Sequence, residues 1–337
     1  MTLEVLWFFL WGLLWALYFI TDGFDLGAGT LLPFLAKNET EKRLIYNATG
    51  PVWDGNQVWL ITAGGVTFAA FPRTYAVMFS AFYTAFFLLL LMLILRGVSF
   101  GFRSKATSAA MVKLCDVFQF FGSGVTAILL GVAFANIFKG LPIENGVNKG
   151  GLLNLLSPYG ILGGIFFLSI FLLHGAIWLS IKTDGVFHAR TVKTAKFLWA
   201  ITVVIAVIFL AVTKFQTTLY DNYINHPLLW VIPVAAVVAL LAVGVLLKKG
   251  KCGYAWGASA AAIFCTTFFA IVGLYPNMLI STIDPAHTIT LNNAASSPLT
   301  LKVMLAVVLL FLPFVIGYQL WAYSLFSKKI RSDELIY

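Results

Sequence analysis

The chain has 337 residues, of which 61% are hydrophobic and only 10% charged, with a formal charge of +9. Soluble domains carry about 25% charged residues, so this composition excludes soluble enzymes, nucleic-acid-binding domains and disordered proteins. An aromatic share of 16% suits helices that face lipid and each other, as in an all-α polytopic membrane protein.

A helix crosses the hydrocarbon core with about 20 mostly apolar residues. In chain order, nine such windows fall at Leu3–Ile20, Val52–Phe71, Tyr75–Leu95, Leu114–Phe138, Tyr159–Ile181, Phe197–Thr213, Leu228–Leu247, Tyr254–Tyr275 and Val303–Phe326. Met1–Glu4 contains no Lys or Arg, so the apolar start reads as a first span rather than a cleavable signal peptide. Short connections predict antiparallel neighbours, and the absence of a Ser/Pro-rich linker predicts a single membrane domain over 1–337.

With nine spans, only Arg73, Lys139, Lys149, Lys214 and Lys302 of the 22 Lys and Arg residues fall on one side. Arg96, Arg103 and the rest fall on the other. Basic residues collect on the cytoplasmic side, which predicts an outer N-terminus and a cytoplasmic C-terminus. The longest connections, Lys139–Pro158, Phe215–Pro227 and Pro276–Leu301, then lie outside, as caps or as solvated loops. Cys115, Cys252 and Cys265 have the spacing of neither a disulfide framework nor a metal site.

Ionisable groups inside spans carry the functional information, because each costs several kcal/mol if it faces lipid. The first span runs into Thr21-Asp22-Gly23-Phe24-Asp25-Leu26-Gly27-Ala28-Gly29. Asp22 and Asp25 are three residues apart and share a helix face. The glycines allow either close helix contact or a local break. The second span opens with Trp53-Asp54-Gly55-Asn56-Gln57-Val58-Trp59, an unusually polar entry. Asp22, Asp25 and Asp54 together suit a proton inlet supported by Asn56 and Gln57. Equally, Asp22 and Asp25 could cap a helix end or pair with Arg43 or Lys105, and Trp53 and Trp59 could be interfacial belt residues. Asp116 and Gln119 lie near the inner mouth of the fourth span. His174 is the single in-span histidine and has no second histidine at a spacing suited to a bis-His haem.

The stretches TDGFDLG (21–27), WDGNQVWLITAGG (53–65), LRGVSFGFRSK (95–105) and GVAFANIFKG (131–140) resemble subunit II of the cytochrome bd-type quinol oxidases. The specific matches lie in the first 140 residues; beyond the fifth span the resemblance rests on span number and loop pattern. It implies two four-helix bundles, about 1–140 and 150–275, with a peripheral last helix at 302–326. It also implies a haem-bearing subunit I of similar fold, packed with this chain as a pseudo-symmetric heterodimer in the bacterial cytoplasmic (inner) membrane. The b- and d-type haems would sit in subunit I, with no cofactor held firmly by this chain. Some members hold a structural quinone in this subunit, and many complexes carry a small single-span subunit.

The resemblance places the family's channel carboxylate on Asp54 and the tryptophan near oxygen entry on Trp59. Asp22 and Asp25 match its first-span polar motif. The implied reaction is quinol oxidation coupled to reduction of O2 to water, electrogenic without a pump. The partners are then subunit I, lipid and quinone, with no nucleic acid. A proton-coupled secondary transporter is the alternative. It would place carboxylates near the bilayer midplane, beside glycine-broken helices, in a self-sufficient chain.

Overall fold

Thr2 caps a first helix, α1, that runs without interruption from Leu3 to Leu35. At 1.5 Å per residue its 33 residues extend about 50 Å, well beyond the expected end at Ile20. The computed structural model describes residues 2–331 and 335–336. A short helix, α2 (Glu39–Thr49), follows. Next come α3 (Trp53–Ala70), α4 (Pro72–Ala81), α5 (Tyr83–Phe102) and α6 (Ala109–Lys139).

The strand pair β1 (Ile143–Glu144) and β2 (Val147–Asn148) and the single turn α7 (Leu152–Leu155) lead to α8 (Pro158–Lys182) and α9 (Gly185–Gln216). The chain continues through α10 (Asp221–Asn225), α11 (Val231–Lys248) and α12 (Cys252–Leu274). A second strand pair, β3 (Asn277–Leu279) and β4 (Ile289–Thr290), and the turn α13 (Leu291–Ala294) precede the last helix, α14 (Pro298–Leu325).

Eight helices among the described residues are long and apolar enough to cross a membrane. The expected second span is the helix outside this set. It forms as α3, but Asp54, Asn56 and Gln57 in its first turns lower its apolar content. The expected third span, Tyr75–Leu95, is divided at Phe82, where α4 ends and α5 begins. The stretch long and apolar enough to cross a membrane is Tyr83–Lys105. Arg96 and Arg103, expected in a connecting loop, therefore lie within it, because the apolar run resumes after Arg96 with Val98, Phe100 and Phe102.

α1 is the central element, packed against α3, α6, α8 and α12. The glycines near its end do not break it; they allow close contact. A Cβ on Gly27 would stand 1.8 Å from the Phe171 carbonyl oxygen, and one on the facing Gly175 would stand 2.4 Å from the Ala28 nitrogen. Backbone meets backbone there, the small-residue packing that holds membrane helices together without a hydrophobic driving force. Nearer the start of α1 the contact is aromatic. Phe134 lies 4.9 Å from Trp15 and 5.1 Å from Phe19, centroid to centroid.

The two long connections 139–158 and 276–301 form a joint cap. Leu141 donates its N–H to the Ile280 carbonyl, Thr282 donates to the Leu141 carbonyl, and the Ser281 hydroxyl donates to the Ile143 carbonyl at 2.6 Å. Leu279, Ile289, Leu291 and Leu301 are buried beneath it, and Trp7 of α1 donates its indole N–H to the Leu301 carbonyl at 3.1 Å.

Replacing Gly175 by leucine forces α1 and α8 apart. The expected cost is about 3 kcal/mol, read as a lower thermal midpoint of the purified protein. Gly257→Ala, where an added Cβ meets nothing within 4 Å, serves as the control. An unshifted midpoint for Gly175→Leu would show that the two backbones are not in contact.

Candidate functional site

The first-span carboxylates of α1 lie fully buried where α5 crosses them. Arg96 donates through Nη1 to Asp22 Oδ2 at 2.9 Å and through Nη2 to Asp22 Oδ1 at 2.7 Å. This is the two-pronged geometry that a guanidinium forms with a carboxylate. Asp25 is more loosely held, with Oδ2 3.8 Å from Arg96 Nη2. Asn56 of α3 donates its amide to Asp25 Oδ2 at 2.6 Å and to the Thr21 carbonyl at 3.0 Å, and accepts from the Tyr323 hydroxyl of α14 at 2.6 Å. Two carboxylates thus share one guanidinium, while Asp25 Oδ1 and Arg96 Nε have no hydrogen-bond partner among the described residues. The carboxylates pair with Arg96 rather than with Arg43 or Lys105, and neither caps a helix end.

Asp54 occupies a different environment. It is exposed on the face of α3 that also presents Val58, Ile61 and Phe68. α14 clamps this helix beside it: Gln319 donates to the Gly55 carbonyl at 3.0 Å and accepts from the Trp59 indole at 3.1 Å. Trp59 is buried, so its indole N–H is satisfied by α14 and not by an interfacial water layer. Trp53 stacks on Phe100 at 5.0 Å. Gln57 is half-buried, and its amide nitrogen is without a hydrogen-bond partner among the described residues.

A second polar layer lies at the α2 end of these helices. The Ser99 hydroxyl donates to Gln119 at 2.6 Å. Arg103 bonds Asp116 at 2.6 Å and Glu39 at 2.9 Å, while Lys42 reaches the other Asp116 oxygen at 2.7 Å. Arg190 of α9 bonds Glu41 at 2.7 Å. Burial raises the Glu41 pKa, but the Arg190 hydrogen bond and the Lys37 backbone N–H outweigh it and hold the carboxyl below its ordinary value. Burial pushes the neighbouring Tyr46 hydroxyl well up.

His174 ties three helices together. Its Nε2 bonds the Ile20 carbonyl at 3.1 Å, its Nδ1 bonds Ser259 of α12 at 2.6 Å, and its ring stacks on Trp256. Both ring nitrogens are engaged in hydrogen bonds. Among the described residues no three His, Cys, Asp or Glu side chains come together as a metal site. An apolar cavity of about 650 Å³ opens between α1, α3, α4, α5 and α6, walled by Trp11, Trp15, Phe79, Phe86 and Phe134.

Sequence reasoning brought together Asp22, Asp25 and Asn56 but missed Arg96, Gln319 and Tyr323. Arg96 was discoverable because the apolar run continues past it. Gln319 and Tyr323 were discoverable as polar groups in an otherwise greasy last span.

Residues 3–326 match the family described as cytochrome bd terminal oxidase subunit II. The chain is 36% identical to the cytochrome bd ubiquinol oxidase subunit 2 of Bacillus subtilis (strain 168), covering 99% of this chain and 98% of the relative. It is 34% identical to the cytochrome bd-I ubiquinol oxidase subunit 2 of Escherichia coli (strain K12), over 99% of this chain and 96% of that one. Its fold is similar to a chain of the bd oxidase from Geobacillus thermodenitrificans, with a TM-score of 0.77, 17% identity, and coverage of 96% of this chain and 99% of that chain.

Arg96→Gln leaves two carboxylates buried without a cation and is expected to cost about 3–5 kcal/mol. Adding Asp22→Asn removes one of those charges and should recover part of the lost thermal midpoint. If the double variant loses as much as the single one, charge pairing is not what holds α1 to α5. The Glu41–Arg190 pair gives a pH dependence with a definite sign. Its stabilisation is fully present above the ordinary Glu value of 4.5 and is lost as pH falls through the lowered folded-state value. Glu41→Gln should flatten that acid limb by about 1 kcal/mol, measured as thermal midpoint against pH. An unchanged limb would remove the pair as its source.

Proposed function

The chain belongs to the cytochrome bd terminal oxidase subunit II family, and from that premise we propose that it is the haem-free subunit of a membrane quinol:O2 oxidoreductase. In this reading the complex oxidises a membrane quinol and reduces O2 to water in the bacterial inner membrane. The b- and d-type haems belong to a subunit I partner, a reading consistent with His174, whose two ring nitrogens are engaged by Ser259 and the Ile20 carbonyl. The N-terminus faces outward and the C-terminus faces the cytoplasm. α3 is counted as the ninth span. The helices divide into a bundle of α1, α3, α5 and α6 within 1–140 and one of α8, α9, α11 and α12 within about 150–275, with α14 peripheral at 302–326. Within these groups α1 packs on α3 and α6, α8 on α9, and α11 on α12, while α1 and α6 also pack closely on α8 across the boundary. Family membership leaves the secondary-transporter alternative without support.

The carrying observation is the exposure of Asp54 on an apolar helix face. A carboxylate on a membrane-facing surface is costly in lipid, and a wet seam with subunit I relieves that cost. Asp54 then receives protons from the cytoplasmic side, and water along the seam carries them toward the partner's haems. Asp25, the carboxylate with the weaker hold on Arg96, joins this path as the exchangeable group. Asp22 fixes the guanidinium, and Asn56 and Gln57 order the entry. Trp59, pinned by Gln319, forms part of an apolar oxygen route. The cavity beside Trp15 suits a structural quinone, since the Trp15 indole N–H is buried without a hydrogen-bond partner. A small single-span subunit and lipid complete the assembly.

Asp54→Asn should lower oxidase turnover about tenfold or more, with the haem spectrum of the purified complex intact. Turnover equal to wild type would eliminate Asp54 as an obligatory carrier. Trp59→Ala should change the apparent O2 affinity in oxygen-consumption traces; an unaltered affinity would take Trp59 off the gas route.

A further inference from the structure

A cleft of about 200 Å³ opens between the α2–α3 junction, the ends of α8 and α14, and the segment that follows α14. Its walls carry three ammonium groups, Lys182, Lys328 and Lys329, above an apolar floor that includes Val52, Trp178 and Phe326. No carboxylate lines it among the described residues, and none of the three lysines has an ion-pair partner among them.

The arrangement is built rather than incidental. Lys182 donates through Nζ to the Phe326 carbonyl and stands 4.6 Å over the Trp178 ring. Its own carbonyl accepts from the Ile330 N–H at 2.8 Å. These contacts fix the segment on both sides of Lys328 and Lys329. Farther along, Arg43 donates to the Leu335 carbonyl at 3.0 Å and the Ile336 N–H donates to Asn47 at 2.8 Å. Three like charges are therefore gathered around one cleft. A lysine ammonium offers three donors, so the cleft presents a donor-rich wall to an acceptor-rich group.

We propose that the cleft binds a phosphate group, presented as the headgroup of an anionic phospholipid. The floor argues for a lipid over a free ion. It is apolar and continues onto the flank of α14, where Trp321 and Leu325 are exposed. An exposed tryptophan at a span end marks the depth at which headgroups sit. Juxtamembrane lysines are drawn to anionic headgroups at that depth.

The test uses the assembled complex, delipidated and returned to nanodiscs of phosphatidylcholine with or without phosphatidylglycerol. Phosphatidylglycerol should remain bound through native mass spectrometry and raise the thermal midpoint by a few degrees. Lys328→Gln/Lys329→Gln, altering two exposed side chains, should weaken retention about tenfold and abolish the rise. Equal retention and an equal rise in that variant would overturn the site. Millimolar inorganic phosphate in phosphatidylcholine discs should give no rise. If it reproduces the effect, the lipid assignment falls.

Discussion

The guanidinium of Arg96, buried between Asp22 and Asp25, is the constraint to which the surrounding helices conform. A charge in a greasy interior must be paired and hydrogen-bonded, and the groups gathered around it come from three other helices. Asp22 and Asp25 require α1 to remain helical beyond the usual length of a span. Asn56 requires α3 to begin with polar residues, and Tyr323 brings α14 to the same point. α6 closes the other side: a Cβ on Gly122 would stand 2.7 Å from the Met92 carbonyl oxygen and 2.9 Å from Arg96 Cβ. Only a glycine lets that helix approach the arginine backbone so closely.

The charge count of the cluster is uneven, and this separates its two carboxylates. Asp22 takes both prongs of the guanidinium and is anchored. Asp25 is left with an amide and a distant edge of the same cation, so its charge is the more weakly compensated of the two. Pairing and asymmetry together leave one carboxylate anchored and the other loosely held around a single guanidinium.

Much of this was legible in the sequence. Apolar windows located the eight membrane-length helices, and the motifs at 21–27 and 53–65 held Asp22, Asp25 and Asn56, which the fold brings together. What was illegible has physical causes. A span boundary drawn at the first charge placed Arg96 in a loop, because hydropathy treats an arginine as an exit signal whether or not acids wait for it. The Phe82 break could not be inferred from an unbroken apolar run. The contribution of α14 was hidden because Gln319 and Tyr323 act through distant Trp59, Gly55 and Asn56, and nothing local announces such partners. The glycines near the end of α1 admitted two readings, and only the facing Gly175 decides between them.

The way the chain folds back after α14 bears on handling the protein. Residues 326–331 meet the end of α8 and residues 335–336 meet α2, held by backbone groups of Phe326, Ile330, Leu335 and Ile336. During synthesis these residues emerge after α14, so this end of the bundle can be sealed only once that helix has been made. A handle inserted directly after α14 would displace the backbone contacts of Phe326 and Ile330 with Lys182.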